Sequence, residues 1–203
     1  MTIRHDTKTG DYIVLLHGLI RTAQSLKKLE KVFTEFGYDV ININYPSTKH
    51  PVEDLSNYLK KELEVRCTDK SKKINFITHS LGGVLLRCFL ANNKLENLGR
   101  VVMLCPPNSG SFLADFLAKF KVANRLIGPA LKQITSKEAN FPNITSFCEV
   151  GVIAGKFDEK VSVNQTKLEG MKDFLIVPRM HTFIMNAKEV ITATKNFLET
   201  GRF

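Results

Sequence analysis

No stretch of this 203-residue chain approaches the roughly 18 consecutive apolar residues that a bilayer-crossing helix needs, so no segment reads as a transmembrane span. The N-terminal stretch MTIRHDTKTGDYIVLLHG lacks the long apolar core and small-residue cleavage site of a secretory leader, and a cytoplasmic location is the expectation. Cysteine is sparse. Cys67, Cys88, Cys105 and Cys148 form no CxxC pair and no metal-ligand spacing. Each lies in or beside an apolar segment, which reads as buried free thiols rather than disulfides or a metal site. Internal repeats, low-complexity tracts and linkers are absent too, so one domain spanning residues 1–203 accounts for the chain. Acidic residues are outnumbered, 20 against 29 Lys and Arg, for a net charge of +9. Such a balance can serve nucleic acid or an anionic membrane. Here the lysines are scattered, and neither a zinc-finger spacing nor an RNP-like aromatic–basic motif occurs. A solvated surface is expected, with no nucleic-acid partner.

What is present is an alternation of short apolar runs with longer amphipathic ones. Tyr12–Leu16, Val40–Ile43, Ile74–Thr78, Arg100–Cys105, Val150–Ala154 and Phe174–Val177 read as strands. Between them, Leu26, Leu29, Val32, Phe33 and Phe36 fall at helical spacing, stopped by Gly37. Val52, Leu55, Leu59 and Leu63 form a second stripe, and Leu81–Ala91 and Lys188–Thr200 read as further helices. This order calls for an α/β fold, a mostly parallel sheet with helices on both faces.

In an open parallel sheet, sites form beyond the C-terminal ends of the strands. His17-Gly18, Ser80, the loop Asn108–Ser111, Asp158 and His181 all fall on that edge. A serine hydroxyl is a poor nucleophile unless a base takes its proton, and the usual base is a histidine oriented by a carboxylate. Ser80 could instead be a plain helix N-cap. Glu159 competes with Asp158 as the acid. Among the other histidines, His5 belongs to the N-terminus, His50 to a loop, and His17 and His79 to the two motifs themselves.

The order Ser80, Asp158, His181, together with "HGL" at 17–19 and "THSLGG" at 78–83, resembles the α/β-hydrolases. Within that superfamily the chain is similar to small bacterial lipase- or esterase-like members. The segments "GVIAGKFDEKVSVNQTKLEGM" and "IVPRMHTFIMN" extend the likeness through the C-terminal half. The resemblance implies an α/β-hydrolase fold and a serine hydrolase for esters or thioesters, working through an acyl-enzyme. Ser80 would attack, His181 would shuttle the proton and Asp158 would orient His181. The N–H groups of Leu81 and Leu19 would hold the oxyanion, with Gly18 permitting the loop's close approach. His17, His79 and Gly82 would shape the two loops. No metal or organic cofactor is implied. The substrate would be a small-molecule or lipid ester. An acyltransferase on the same residues, or a non-catalytic binding module on the same fold, remains an alternative.

Two features depart from a simple pattern. Thr78 stands where the G-x-S-x-G elbow has its first glycine. In the segment 111–147, Phe112, Leu113, Phe116, Leu117 and Phe120 share a helical stripe, with Lys119, Lys121, Arg125, Lys132 and Lys137 nearby. The stripe reads either as a core-facing helix or as a short cap bordering an acyl pocket, its lysines turned to a weakly held anionic membrane.

Overall fold

The computed structural model describes residues 10–203; His5 lies outside them. Among the described residues six strands form one parallel sheet in the order β2-β1-β3-β4-β5-β6. They are β1 (Tyr12–Leu16), β2 (Asp39–Ile43), β3 (Ile74–His79), β4 (Leu98–Leu104), β5 (Val150–Gly155) and β6 (Asp173–Val177). Of the inner strands, β1, β3 and β5 are buried along their whole length and β4 over its last four residues, whereas the edge strands β2 and β6 are partly exposed. That contrast explains the continuous apolar runs in the sequence. An inner strand covered on both faces has no solvent side to alternate with.

Two apolar cores cover the two faces. One holds Val14, Leu16, Phe76 and Met103 of the sheet beneath α2 (Val52–Arg66) and α3 (Leu81–Asn92). The stripe Val52, Leu55, Leu59 and Leu63 is the buried side of α2. The other core packs Ile13, Leu15, Ile77 and Ile153 against α1 (Lys27–Glu35) and α8 (Lys188–Thr200). Leu29 and Phe33 come from α1, and Val190, Phe197 and Leu198 from α8. The connection from β4 to β5 carries three short helices, α4 (Phe112–Leu117), α5 (Lys121–Ile127) and α6 (Ala130–Gln133); α7 (Val163–Thr166) follows β5.

The chain runs from β1 outward to β2 and then crosses back to β3 on the other side of β1. Such a reversal leaves a crevice at the strand ends, because the two flanking connections depart in opposite directions. In register, Leu16 lies beside Thr78. The loop that starts at His17 and the turn that holds Ser80 therefore leave the sheet as neighbours.

No helix among the described residues is long and apolar enough to cross a membrane. The four cysteines are unpaired thiols, Cys67 and Cys105 buried, Cys88 and Cys148 half-buried.

Candidate active site

The chain enters the site along β3 and turns into α3 at Ser80, whose backbone has φ 52° and ψ −121°. A non-glycine residue at positive φ stores strain and is held there only by its surroundings. Here the Ser80 N–H donates to Leu104 O at 2.9 Å and its carbonyl accepts from Gly83 N at 2.9 Å. Ser80 occupies the N-cap position of α3, yet its hydroxyl caps no N–H. Ser111 and Ser162, by contrast, accept from the third helical N–H of α4 and α7.

Glycine is a steric requirement at this turn. A Cβ on Gly82 would lie 2.4 Å from Leu16 O, so the first turn of α3 can press on the end of β1 only without a side chain. A Cβ on Gly83 would meet Pro106 Cβ at 3.2 Å and Thr78 Oγ1 at 3.3 Å. Thr78 is buried and its hydroxyl has no hydrogen-bond partner among the described residues. Its branched side chain is thus accommodated beside the space that Gly83 leaves open, and the sharp turn forms without the motif's first glycine.

Asp158 and His181 come from the loops after β5 and β6. Those loops are stitched together by Lys156 N–H to Val177 O at 2.7 Å and Phe157 N–H to Arg179 O at 3.1 Å. The His181 Nδ1–H donates to Asp158 Oδ2 at 2.7 Å, with the two side chains only 3% and 1% exposed. The other carboxylate oxygen, Oδ1, accepts from Lys160 N–H and Val161 N–H, each at 2.8 Å. Burial raises the Asp158 carboxyl, but the hydrogen bond and charge of His181 and the two N–H donors outweigh it. The carboxyl ends below its ordinary range and stays ionised. Glu159 does a different job, accepting the backbone N–H of His181 at 3.1 Å.

The histidines inside the motifs are buried props. His79 Nε2–H donates to the His181 carbonyl at 3.0 Å, and its ring lies 4.8 Å from that of His181. Burial, then the neighbouring His181, holds His79 well below its usual value, so it is neutral. His17 stacks on Tyr45 with ring centroids 4.1 Å apart, while the Tyr45 hydroxyl donates to the His17 carbonyl. Burial lowers His17 as well. His50 sits away from the site, half exposed beside Asp54.

After His17 the loop passes close to the turn at Ser80. A Cβ on Gly18 would lie 3.0 Å from His79 Nδ1 and 3.2 Å from Ser80 Cβ. Ile20 adopts φ 61°, an outlier for a β-branched residue. The Leu81 N–H opens α3, where no intrahelical acceptor exists. Neither it nor the Leu19 N–H has a partner among the described residues.

Gly18, Leu19, Ser80 and His181 line one cavity of about 100 Å³. Much of its lining is apolar, from Leu113, Ala114 and Leu117 of α4 and Ile127, Leu131 and Ile134 around α5 and α6. The phenylalanines of the same stripe turn away: Phe112, Phe116 and Phe120 are 45%, 57% and 51% exposed. Spacing alone joined leucines and phenylalanines into one face; within α4 the pair Leu113 and Leu117 and the pair Phe112 and Phe116 stand on neighbouring sides, about 100° apart, and only the leucine side lines the cavity.

Sequence reasoning missed Cys105. It follows β4 directly, at φ 48°, and its thiol, a carboxylate oxygen of Asp158 and a ring nitrogen of His181 lie within 4.8 Å of one another. The strand-end rule could have found it, since it sits on the same sheet edge. Burial first, then the adjacent Asp158 carboxylate, pushes its thiol well above the usual range, so it is protonated. This trio has donor types that suit a soft divalent ion. However, Asp158 and His181 already satisfy each other, and Oδ1 is filled by two N–H groups. The site as built fits a proton relay better than a metal cage.

This architecture is the α/β-hydrolase fold. The mature form of the lipase BlEst2 from Bacillus licheniformis superposes with a TM-score of 0.71 at 18% identity, covering 100% of this chain and 96% of that one. A metagenomic carboxyl esterase gives 0.73 at 15% identity over 86% and 65%. Phospholipase PlaB from Legionella pneumophila gives 0.66 at 18% identity over 91% of this chain, which spans 57% of the phospholipase's length. No protein-family model matches the sequence, and no curated protein does.

Proposed function

We propose that this protein is a serine hydrolase that cleaves carboxylic esters or thioesters through an acyl-enzyme. The observation that carries the reading is the buried His181–Asp158 pair, bonded at 2.7 Å, opening on the same cavity as a serine held at positive φ. In this reading His181 Nε2 takes the proton as Ser80 Oγ attacks the acyl carbon, and Asp158 keeps the Nδ1–H tautomer and stabilises the imidazolium. The oxyanion that forms is met by the Leu81 and Leu19 amides. His181 then returns the proton to the leaving alcohol or thiol, and water repeats the sequence in reverse. The ester-cleaving neighbours support the substrate class. The exposed phenylalanines beside Lys119, Lys121 and Arg125 support contact with an anionic membrane surface.

A fluorophosphonate probe tests the nucleophile directly. Wild type should label at one serine, found at Ser80 by peptide mapping. Labelling that persists in Ser80→Ala would sink the assignment.

The apolar wall makes a separate prediction. Leu117→Ala should shift the ratio of kcat/KM toward longer aryl esters by about tenfold, the scale of a methylene or two in an apolar pocket. Phe116→Ala, at an outward-facing position, should leave that ratio unchanged. A chain-length series run on both variants decides, and a shift in Phe116→Ala alone would reverse the reading of the wall.

A further inference from the structure

The cavity lining is sorted by chemistry. The side chains contributed by residues 107–134 include no charge. The loops after β1 and β5, by contrast, contribute two cations, Arg21 and Lys160. Lys160 is already engaged, its Nζ donating to Thr182 Oγ1 at 3.1 Å and lying 3.8 Å from Glu159 Oε1. Arg21 is half-buried, and its guanidinium has no hydrogen-bond or ion-pair partner among the described residues. Its backbone is fixed, with Arg21 N–H bonded to Gly18 O at 3.2 Å across the turn that forces Ile20 to φ 61°. Arg21 thus brings five guanidinium donors, without a partner among the described residues, to the lining of a cavity that is otherwise largely apolar.

Resting on the hydrolase reading above, we propose that the substrates are acyl esters whose alcohol part carries a phosphate, with Arg21 as the residue that binds it. The acyl chain lies along Leu113, Leu117 and Leu131, and the phosphate pairs with the planar guanidinium, a geometry that favours bidentate contact. Lys160 adds positive potential without giving up its own partners. Arg21 is thereby a specificity residue: it sets which ester is taken, whereas Ser80 and His181 set whether any is cleaved.

The experiment compares 1-hexanoylglycerol 3-phosphate with 1-hexanoylglycerol, both monomeric, in wild type, Arg21→Gln and Arg21→Lys. The phosphate preference, taken as the ratio of the two kcat/KM values, should fall about tenfold in Arg21→Gln, the scale of one charged hydrogen-bonded contact. Arg21→Lys should retain part of it. Matching melting curves show that the variants are folded. An unchanged ratio in Arg21→Gln, or a wild type that prefers the neutral ester, overturns the proposal. So does a fall seen with phosphatidylglycerol vesicles but not with the monomeric ester, which would put Arg21 on a membrane surface rather than in the cavity. If neither ester shows Ser80-dependent turnover, the hydrolase reading fails, and binding still decides the phosphate site. Glycerol 3-phosphate titrated into wild type and Arg21→Gln then supports it if the variant binds more weakly and refutes it if the two bind alike.

Discussion

Ser80→Ala should lower kcat for a short aryl ester by about 10⁴- to 10⁶-fold, and His181→Ala by a similar factor. The double variant should be little worse than either one. In the proposed relay the nucleophile and its base act as a unit, so removing the second member of a broken relay would cost little more. Each variant should fold. Alanine at position 80 meets the same positive φ that serine already tolerates, and the Ser80 hydroxyl makes no cap bond whose loss would weaken α3. Steady-state kinetics on the two singles and the double, with melting temperatures alongside, test this. Losses that multiply in the double variant would mean the two residues act independently and would break the proposed relay.

Asp158→Asn should be nearly as severe, at about 10⁴-fold in kcat, and far more so than Glu159→Gln. The reason lies in proton geometry. Asp158 Oδ1 accepts two backbone N–H groups, so an asparagine there would keep its carbonyl oxygen on that side and turn its NH₂ toward His181. The imidazole would then present Nδ1 as acceptor and carry its proton on Nε2, which is the wrong tautomer for taking a proton from Ser80. Glu159 does not touch the imidazole: it accepts the backbone N–H of His181 and the Thr182 hydroxyl, and a glutamine oxygen can still accept the N–H. Equal losses in the two variants would mean that the ion pair with the ring is not what matters. The same substitution has a stability signature. Because the folded Asp158 carboxyl lies below its ordinary 3.8, its contribution is fully present above that value and is lost as pH falls through the lower folded value. The stability gap between wild type and Asp158→Asn should therefore narrow only in strong acid.

Much of this arrangement is legible in the chain. The strands read as apolar runs because the inner strands of a parallel sheet are covered on both faces, and the predicted bounds of β1 and α8 agree with those observed. The others differ by a few residues at their ends, as with β4, which begins at Leu98 rather than Arg100. Once strands alternate with helices, chemistry at their C-terminal ends follows from topology, and Ser80, Asp158 and His181 all sit on that edge.

The choice between Asp158 and Glu159 was not written locally. Both follow β5, and which of them meets the imidazole depends on hydrogen bonds from Lys156 and Phe157 to Val177 and Arg179 in another loop. The fit of Thr78 depends likewise on Gly83, which the strand pattern does not connect to it. The stripe at 112–120 shows the limit most clearly. Helical spacing records which side chains share a face, and says nothing about what covers that face. Leu113 and Leu117 became cavity wall while Phe112 and Phe116 became surface because the two pairs stand on neighbouring sides of α4, about 100° apart, and only the leucine side is covered. The sequence by itself determined the strands, their alternation with helices and the edge on which Ser80, Asp158 and His181 lie, since those follow from local periodicity and sheet topology. Only the tertiary structure decided which acid meets the imidazole, how the turn at Ser80 does without a glycine, and which side of α4 meets water. Each of those rests on contacts between segments far apart in the chain, whose packing no local pattern encodes.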